Sequence, residues 1–176
     1  TEWADLPDTN GDVDPEIARL ELVGTAAVPL TSPRWLNMPA GTTELDMKGS
    51  VTLLEFSAWW CKPCAQTYPA LNRLQQRYAS LGFRVVIATR LFGYFENGEG
   101  KPGNTLPEAT EVERDRAYFA RHDLDVPIAI AGHTTVVNGK PTFGRDENYE
   151  HYRVVSGIPQ IQLIDKKGNI RLIMIG

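Results

Sequence analysis

Residues 1–16 intersperse acids with turn formers and carry few apolar side chains; from Ile17 onward the chain breaks into short apolar runs separated by glycine and proline. Glu2, Asp5, Asp8, Asp12, Asp14 and Glu16, together with Pro7 and Pro15, mark residues 1–16 as an acidic arm, and 17–176 reads as one domain. Ile17 to Val23 and Ala26 to Leu30 have a strand-like pattern, followed by a turn-rich stretch through Pro33, Pro39, Gly41 and Gly49. Val51 to Phe56 is a continuous apolar run interrupted only by Thr52 and the acid Glu55, the pattern of a central strand covered on both faces. Helical spacing follows. Ala65, Tyr68, Leu71, Leu74 and Tyr78 define an apolar face opposite Arg73, Gln76 and Arg77, with Gly82 as a stop and a kink expected at Pro69. Phe83 to Thr89 predicts a second buried strand, so strand, helix and strand form a right-handed βαβ unit with parallel pairing.

Phe92 to Thr110 carries Gly93, Gly98, Gly100, Pro102, Gly103 and Pro107 and reads as a long loop. Thr110 and Glu113 have the spacing of a capping box that opens a helix running to about His122, and Val126 to Ala131 predicts a further strand. Val136 to Lys140 resembles a tight hairpin turning at Asn138-Gly139, with Pro141 confining its second arm to an edge. Gln160 to Asp165 and Ile170 to Ile175, joined by the turn Lys166 to Asn169, predict an antiparallel pair.

Composition narrows the function classes. With 42% hydrophobic and 23% charged residues the chain is globular in type, and a net charge of -4 supplies no basic field for a phosphate backbone, so no nucleic-acid partner is expected. No apolar run approaches the ~20 residues needed to cross a bilayer. The chain opens on Thr1 rather than methionine, as expected of a processed form, and any signal peptide or membrane anchor is expected outside it. Asp8 to Asp14 resembles the start of a calcium loop, but Val13 stands at the glycine position and Arg19 at the closing glutamate, which leaves a solvated turn.

Two cysteines, Cys61 and Cys64, are too close in sequence to staple distant parts of the chain, so the pair is either chemistry or a local clip. A strand that delivers Cys-x-x-Cys onto the first turn of a helix sets the first sulfur beside unpaired N–H groups and the positive dipole end, both of which favour thiolate. Cys61 is therefore the candidate nucleophile and Cys64, one turn further in, the candidate resolving thiol. Lys62 adds a screened cation, and Pro63, tolerated in a first helical turn, stiffens the link between the sulfurs. Cys64 must lose a proton to act. Glu55, the only acid in the preceding strand, is the candidate acceptor if that strand is buried; the alternative is a face open to water.

The stretch Glu55-Phe56-Ser57-Ala58-Trp59-Trp60-Cys61-Lys62-Pro63-Cys64, the helix bearing Pro69, and Ser156-Gly157-Ile158-Pro159 before the Gln160 strand together resemble the thioredoxin superfamily, in particular its TlpA-like, redoxin-type members. The resemblance covers roughly Leu30 to Gly176. It implies an α/β, thioredoxin-like three-layer sandwich with a mixed central sheet flanked by helices, here with an N-terminal extension. It further implies thiol:disulfide exchange through the WCKPC pair with no cofactor beyond the redox-active disulfide, protein thiol or disulfide substrates, an upstream redox partner, and an extracytoplasmic location. Pro159 would be cis and pack on the disulfide, the Ile158 backbone would pair with substrate peptide, and Trp60 would shape the exposed face around Cys61, unless it merely fills core. The chain departs from the family by stopping at Gly176, where a covering helix normally follows, and by longer segments at 92–110 and 133–152.

Other readings compete. Zinc wants four ligands, and His122, His133 and His151 lack the spacing to complete a site with one cysteine pair, whereas Cu(I) suits two thiolates and leaves a copper chaperone open. A peroxidase of this scaffold would carry Pro-x-x-x-Thr-x-x-Cys, which precedes neither cysteine. A binding protein using the pair only as a clip would hold its disulfide at very negative potential.

Overall fold

The computed structural model describes residues 13–95, 105–132, 134–137, 140–144, 146–154 and 157–176. The arm through Asp12, most of the calcium-like turn, the loop glycines from Gly98 to Gly103, His133, the Asn138-Gly139 turn and Ser156 lie outside them.

The elements run α1 (Val13–Leu20), β1 (Leu30–Thr31), β2 (Trp35–Leu36), β3 (Glu44–Leu45), β4 (Val51–Phe56), α2 (Lys62–Tyr78), a 3-10 turn (Ala79–Leu81), β5 (Phe83–Arg90), α3 (Glu108–Arg121), β6 (Ile128–Ala131), β7 (Thr134–Val137), β8 (Lys140–Phe143), α4 (Glu147–His151), β9 (Gln160–Ile164) and β10 (Ile170–Ile175). Six of the strands form one sheet in the order β10-β9-β4-β5-β6-β2. The three central strands β4, β5 and β6 are parallel, as the βαβ reading requires, and β9, β10 and β2 run antiparallel to their neighbours. This is the expected mixed sheet.

Four local expectations are corrected. Ile17 to Val23 is not a strand: α1 occupies its first half, with Arg19 in the last turn, where a cation suits the helix dipole. Ala26 to Leu30 is not a strand either; only Leu30 pairs, with Leu45 in β3, while Ala26 makes an isolated bridge to Asn169. The Thr110/Glu113 capping box does not form. Instead α3 begins two residues earlier behind Pro107, with Glu108 and Glu111 in its first turn, where negative charge suits the helix dipole. β6 likewise starts at Ile128 rather than Val126, since Pro127 has no N–H to give the ladder.

Other signals hold. Gly82 ends the helical stretch in the left-handed region at φ 79°, which a glycine adopts without steric cost. The hairpin pairs Val137 with Lys140, and Pro141 sits opposite Val136 in a separate two-stranded sheet where every strand is an edge.

Strand alternation sorts the core into two layers. Leu53, Val85, Ile87, Ile128 and Ile130 face the helices, where Cys64, Tyr68 and Leu71 of α2 and Tyr118 and Phe119 of α3 cover them. Leu54, Phe56, Val86, Ala88 and Ala129 face the other side, covered by Leu30, Met47 and the Tyr149 to Tyr152 segment. Glu55, two residues on from Leu53, thus points into the helix-covered layer, flanked in register by Ile87 on β5 and Ile161 on β9.

Candidate active site

β4 ends at Phe56 and hands the chain through Ser57 to Trp60 directly onto the start of α2. Ser57 Oγ and Tyr68 Oη share a buried 2.6 Å hydrogen bond that ties this crossover to the second turn of the helix. Cys61 is the N-cap residue, with extended backbone at φ -80° and ψ 92°, and its Sγ accepts a hydrogen bond from the Cys64 N–H at 3.2 Å. The sulfur therefore occupies the place of a capping oxygen, facing donors that the helix cannot pair internally. Lys62 opens the helix and Pro63 follows it in the first turn, both exposed, where the missing proline N–H leaves no ladder bond broken.

Cys61 and Cys64 are joined as a disulfide with Cα atoms 5.2 Å apart. Cys64 is fully buried and Cys61 is 2% exposed, so any partner must reach the pair from the Cys61 side. There the Ile158–Pro159 peptide bond is cis, and the Ile158 carbonyl oxygen lies 3.6 Å from Cys61 Sγ. The Pro159 carbonyl in turn accepts from the Gly176 N–H at 3.0 Å, which fastens this loop to the end of β10. Trp60, 44% exposed, sets its ring edge against Phe92 with centroids 5.5 Å apart. Trp60, Phe92, Tyr149, Val154, Gly157 and Ile158 line a cleft of about 320 Å³ beside the disulfide.

Glu55 lies beneath α2 with no exposed surface. Burial pushes its carboxyl up from 4.5 to about 7, against a smaller downward pull from the Thr67 hydroxyl, which lies 2.7 Å from Oε2. No cation is among the causes, and the second oxygen, Oε1, is buried without a hydrogen-bond partner among the described residues. The carboxyl is thus poised to change protonation near neutrality by desolvation alone. The alternative of a strand face open to water does not hold.

A second buried acid cluster stands behind the cleft. Glu111 of α3 accepts from the Phe92 and Gly93 N–H groups at 2.5 and 2.8 Å, holding the loop that carries the Phe92 ring. Asp115, one turn on, has both carboxyl oxygens buried without a partner among the described residues; burial first and the Glu111 charge second push it from 3.8 to about 8.

The structure brings Cys61, Cys64, Trp60, Lys62, Pro63, Ile158 and Pro159 to one end of the sheet, with Glu55 under the helix they begin. Sequence reasoning missed Thr67, Phe92 and Tyr149. Thr67 had a signal, standing one helical turn after Cys64 among residues that face the sheet; Phe92 and Tyr149 had none, since the cleft joins a loop and a short helix 57 positions apart in sequence. Among the described residues no three His, Cys, Asp or Glu side chains gather as a metal site.

A three-layer α/β fold with a mixed sheet and a Cys-x-x-Cys disulfide at the N-terminus of the helix after the central strand defines the thioredoxin class. Known proteins agree. The chain is 30% identical over 131 residues to the thioredoxin-like protein YneN of Bacillus subtilis, covering 74% of this chain and 59% of that protein. It is 32% identical over 102 residues to an H-type thioredoxin of Populus jackii, covering 57% of this chain and 71% of the other. It is 26% identical over 126 residues to the thiol-disulfide oxidoreductase ResA of Bacillus cereus, covering 71% and 54%. The chain belongs to the thioredoxin superfamily. It spans less than two thirds of the two Bacillus relatives' length. Among solved structures, the thioredoxin domain of a thiol-disulfide oxidoreductase from Bacteroides vulgatus superposes with TM-score 0.60 at 18% identity over 88% of this chain and 89% of the other. A thiol-disulfide isomerase from Corynebacterium glutamicum does so with TM-score 0.57 at 21% identity, over 87% and 86%. These two show the fold. No family model matches the chain.

Proposed function

We propose that this chain exchanges disulfides with protein thiols. The observation that carries the reading is a sulfur in the N-cap position of α2, accepting the Cys64 N–H and lying 3.6 Å from the carbonyl of the Ile158–Pro159 loop. In the reduced protein the same donors and the helix dipole favour a Cys61 thiolate. That thiolate attacks one sulfur of a substrate disulfide, forming a mixed disulfide while the other substrate sulfur leaves as thiolate and takes a proton. Cys64 then gives its proton to Glu55 and attacks Cys61 Sγ, which closes the protein disulfide and expels the second substrate thiol. Two electrons pass to the substrate and the protein pair is oxidised; the opposite direction retraces these steps.

Substrate is received on the exposed side of Cys61, where Trp60, Lys62 and Pro63 form the surface and the Ile158 backbone offers an extended edge beside Pro159. The redox group is the cysteine pair itself. An upstream thiol or disulfide partner restores the starting state, and an extracytoplasmic setting accords with the ResA-named relatives.

Cys61→Ser is expected to abolish dithiothreitol-driven insulin reduction, while Cys64→Ser attacks but stalls, accumulating mixed disulfides visible on non-reducing gels. Equal activity in both variants would sink the assignment. In the reduced protein Cys61 is further expected to react with iodoacetamide at neutral pH faster than glutathione does.

A further inference from the structure

We propose that Thr67 is the positioning residue through which Glu55 serves Cys64: its single hydroxyl, carried on the helix turn that follows Cys64, holds the β4 carboxyl against that turn and stays bonded whether the carboxyl is charged or neutral. The inference rests on the proton-transfer role given to Glu55 above.

Thr67 Oγ1 lies 2.7 Å from Glu55 Oε2 and 2.7 Å from the Cys64 carbonyl oxygen. A hydroxyl has one proton to donate and lone pairs to accept, so it cannot donate to both neighbours at once. When Glu55 is ionised, the hydroxyl donates to the carboxylate, the stronger acceptor. When Glu55 holds a proton, the carboxyl donates to Oγ1 and the hydroxyl swings to the Cys64 carbonyl, the back-bond that helical threonines commonly make. The bond between Thr67 and Glu55 Oε2 is kept in both protonation states by a rotation of one hydrogen, with no heavy atom moved.

Among the described residues Glu55 has no other hydrogen-bond partner. The strands on either side present Ile87 and Ile161, and of the titratable groups on α2 Tyr68 interacts electrostatically with Glu55. Tyr68 is held above its ordinary range, chiefly by burial, and its hydroxyl is engaged with Ser57. Without Thr67 the carboxylate would lie in an apolar layer with no donor among the described residues, and the neutral acid would be strongly favoured.

The test compares the oxidised and reduced full chain with Thr67→Val, which keeps shape and removes the hydroxyl, and Thr67→Ser, which keeps the hydroxyl. Glu55 is titrated by carbon-detected NMR of its labelled carboxyl, and the pH profile of insulin reduction is measured in parallel. In Thr67→Val the titration midpoint is expected to rise by about one pH unit, with the ascending limb of the activity profile rising equally. Thr67→Ser should restore both, and Glu55→Gln should erase the limb in either background. An unmoved midpoint in Thr67→Val, or a Ser variant shifted like Val, overturns the role of the hydroxyl. A midpoint that moves while activity keeps the parent profile, or a limb that persists in Glu55→Gln, instead removes Glu55 as proton carrier, and the inference falls with that reading.

Discussion

The acid at position 55 shows how one buried side chain links chemistry to stability. Folding raises its proton affinity from 4.5 to about 7, so within that window the native chain holds a proton that the unfolded chain has released. The stabilising share of this group is complete below 4.5 and is lost as pH rises toward 7, by up to ~3 kcal/mol. Glu55→Gln is therefore expected to match the parent's urea midpoint near pH 4.5 and to exceed it at pH 8; a variant less stable than the parent at pH 8 would contradict this account. The gain in stability comes with loss of the proton acceptor, a trade common at functional sites. The sequence made Glu55 visible, because one acid inside an apolar strand is anomalous, but the Thr67 donor beside it belongs to a helix 12 residues later and emerges only when α2 lies on the sheet.

At the scale of elements, α3 bears on the cleft through one carboxylate. Its Glu111 accepts two successive amides at the end of β5, and those amides carry the Phe92 ring that meets Trp60. Substituting Glu111→Gln turns one carboxylate oxygen into an NH₂ that cannot accept, leaving a buried amide N–H unpaired at a cost of about 1–3 kcal/mol. The expected outcome is a lower urea midpoint together with faster hydrogen exchange at Phe92 and Gly93, while the β4 amides keep their protection until global unfolding. No change at those two amides would refute the clamp. The strands β4 and β5 and helix α2 were legible from periodicity because their patterns are long and strong. α1 and the true start of α3 were misread, since in short segments charges suited to a helix end outweigh apolar spacing.

Across the whole molecule, the parallel centre of the sheet is sealed by helices on one face and by the Leu30, Met47 and Tyr152 layer on the other, while the edge strand β10 exposes Leu172, Met174 and Ile175. Apolar side chains on a free strand edge invite pairing between copies, so light scattering of this chain is expected to show concentration-dependent association that Met174→Lys reduces. An association unaffected by that substitution would place the contact elsewhere. Sequence alone determined the βαβ order, the Cys-x-x-Cys pair at a helix start and the resemblance that Gly157-Ile158-Pro159 completes, because each is written in neighbouring residues. Tertiary structure decided that Ile158 meets Cys61 across 97 positions, that Glu55 loses all contact with water, and that Thr67, Phe92 and Tyr149 belong to the site. Burial and long-range contact arise only when layers stack, and no local pattern encodes which side chains that stacking will bring together.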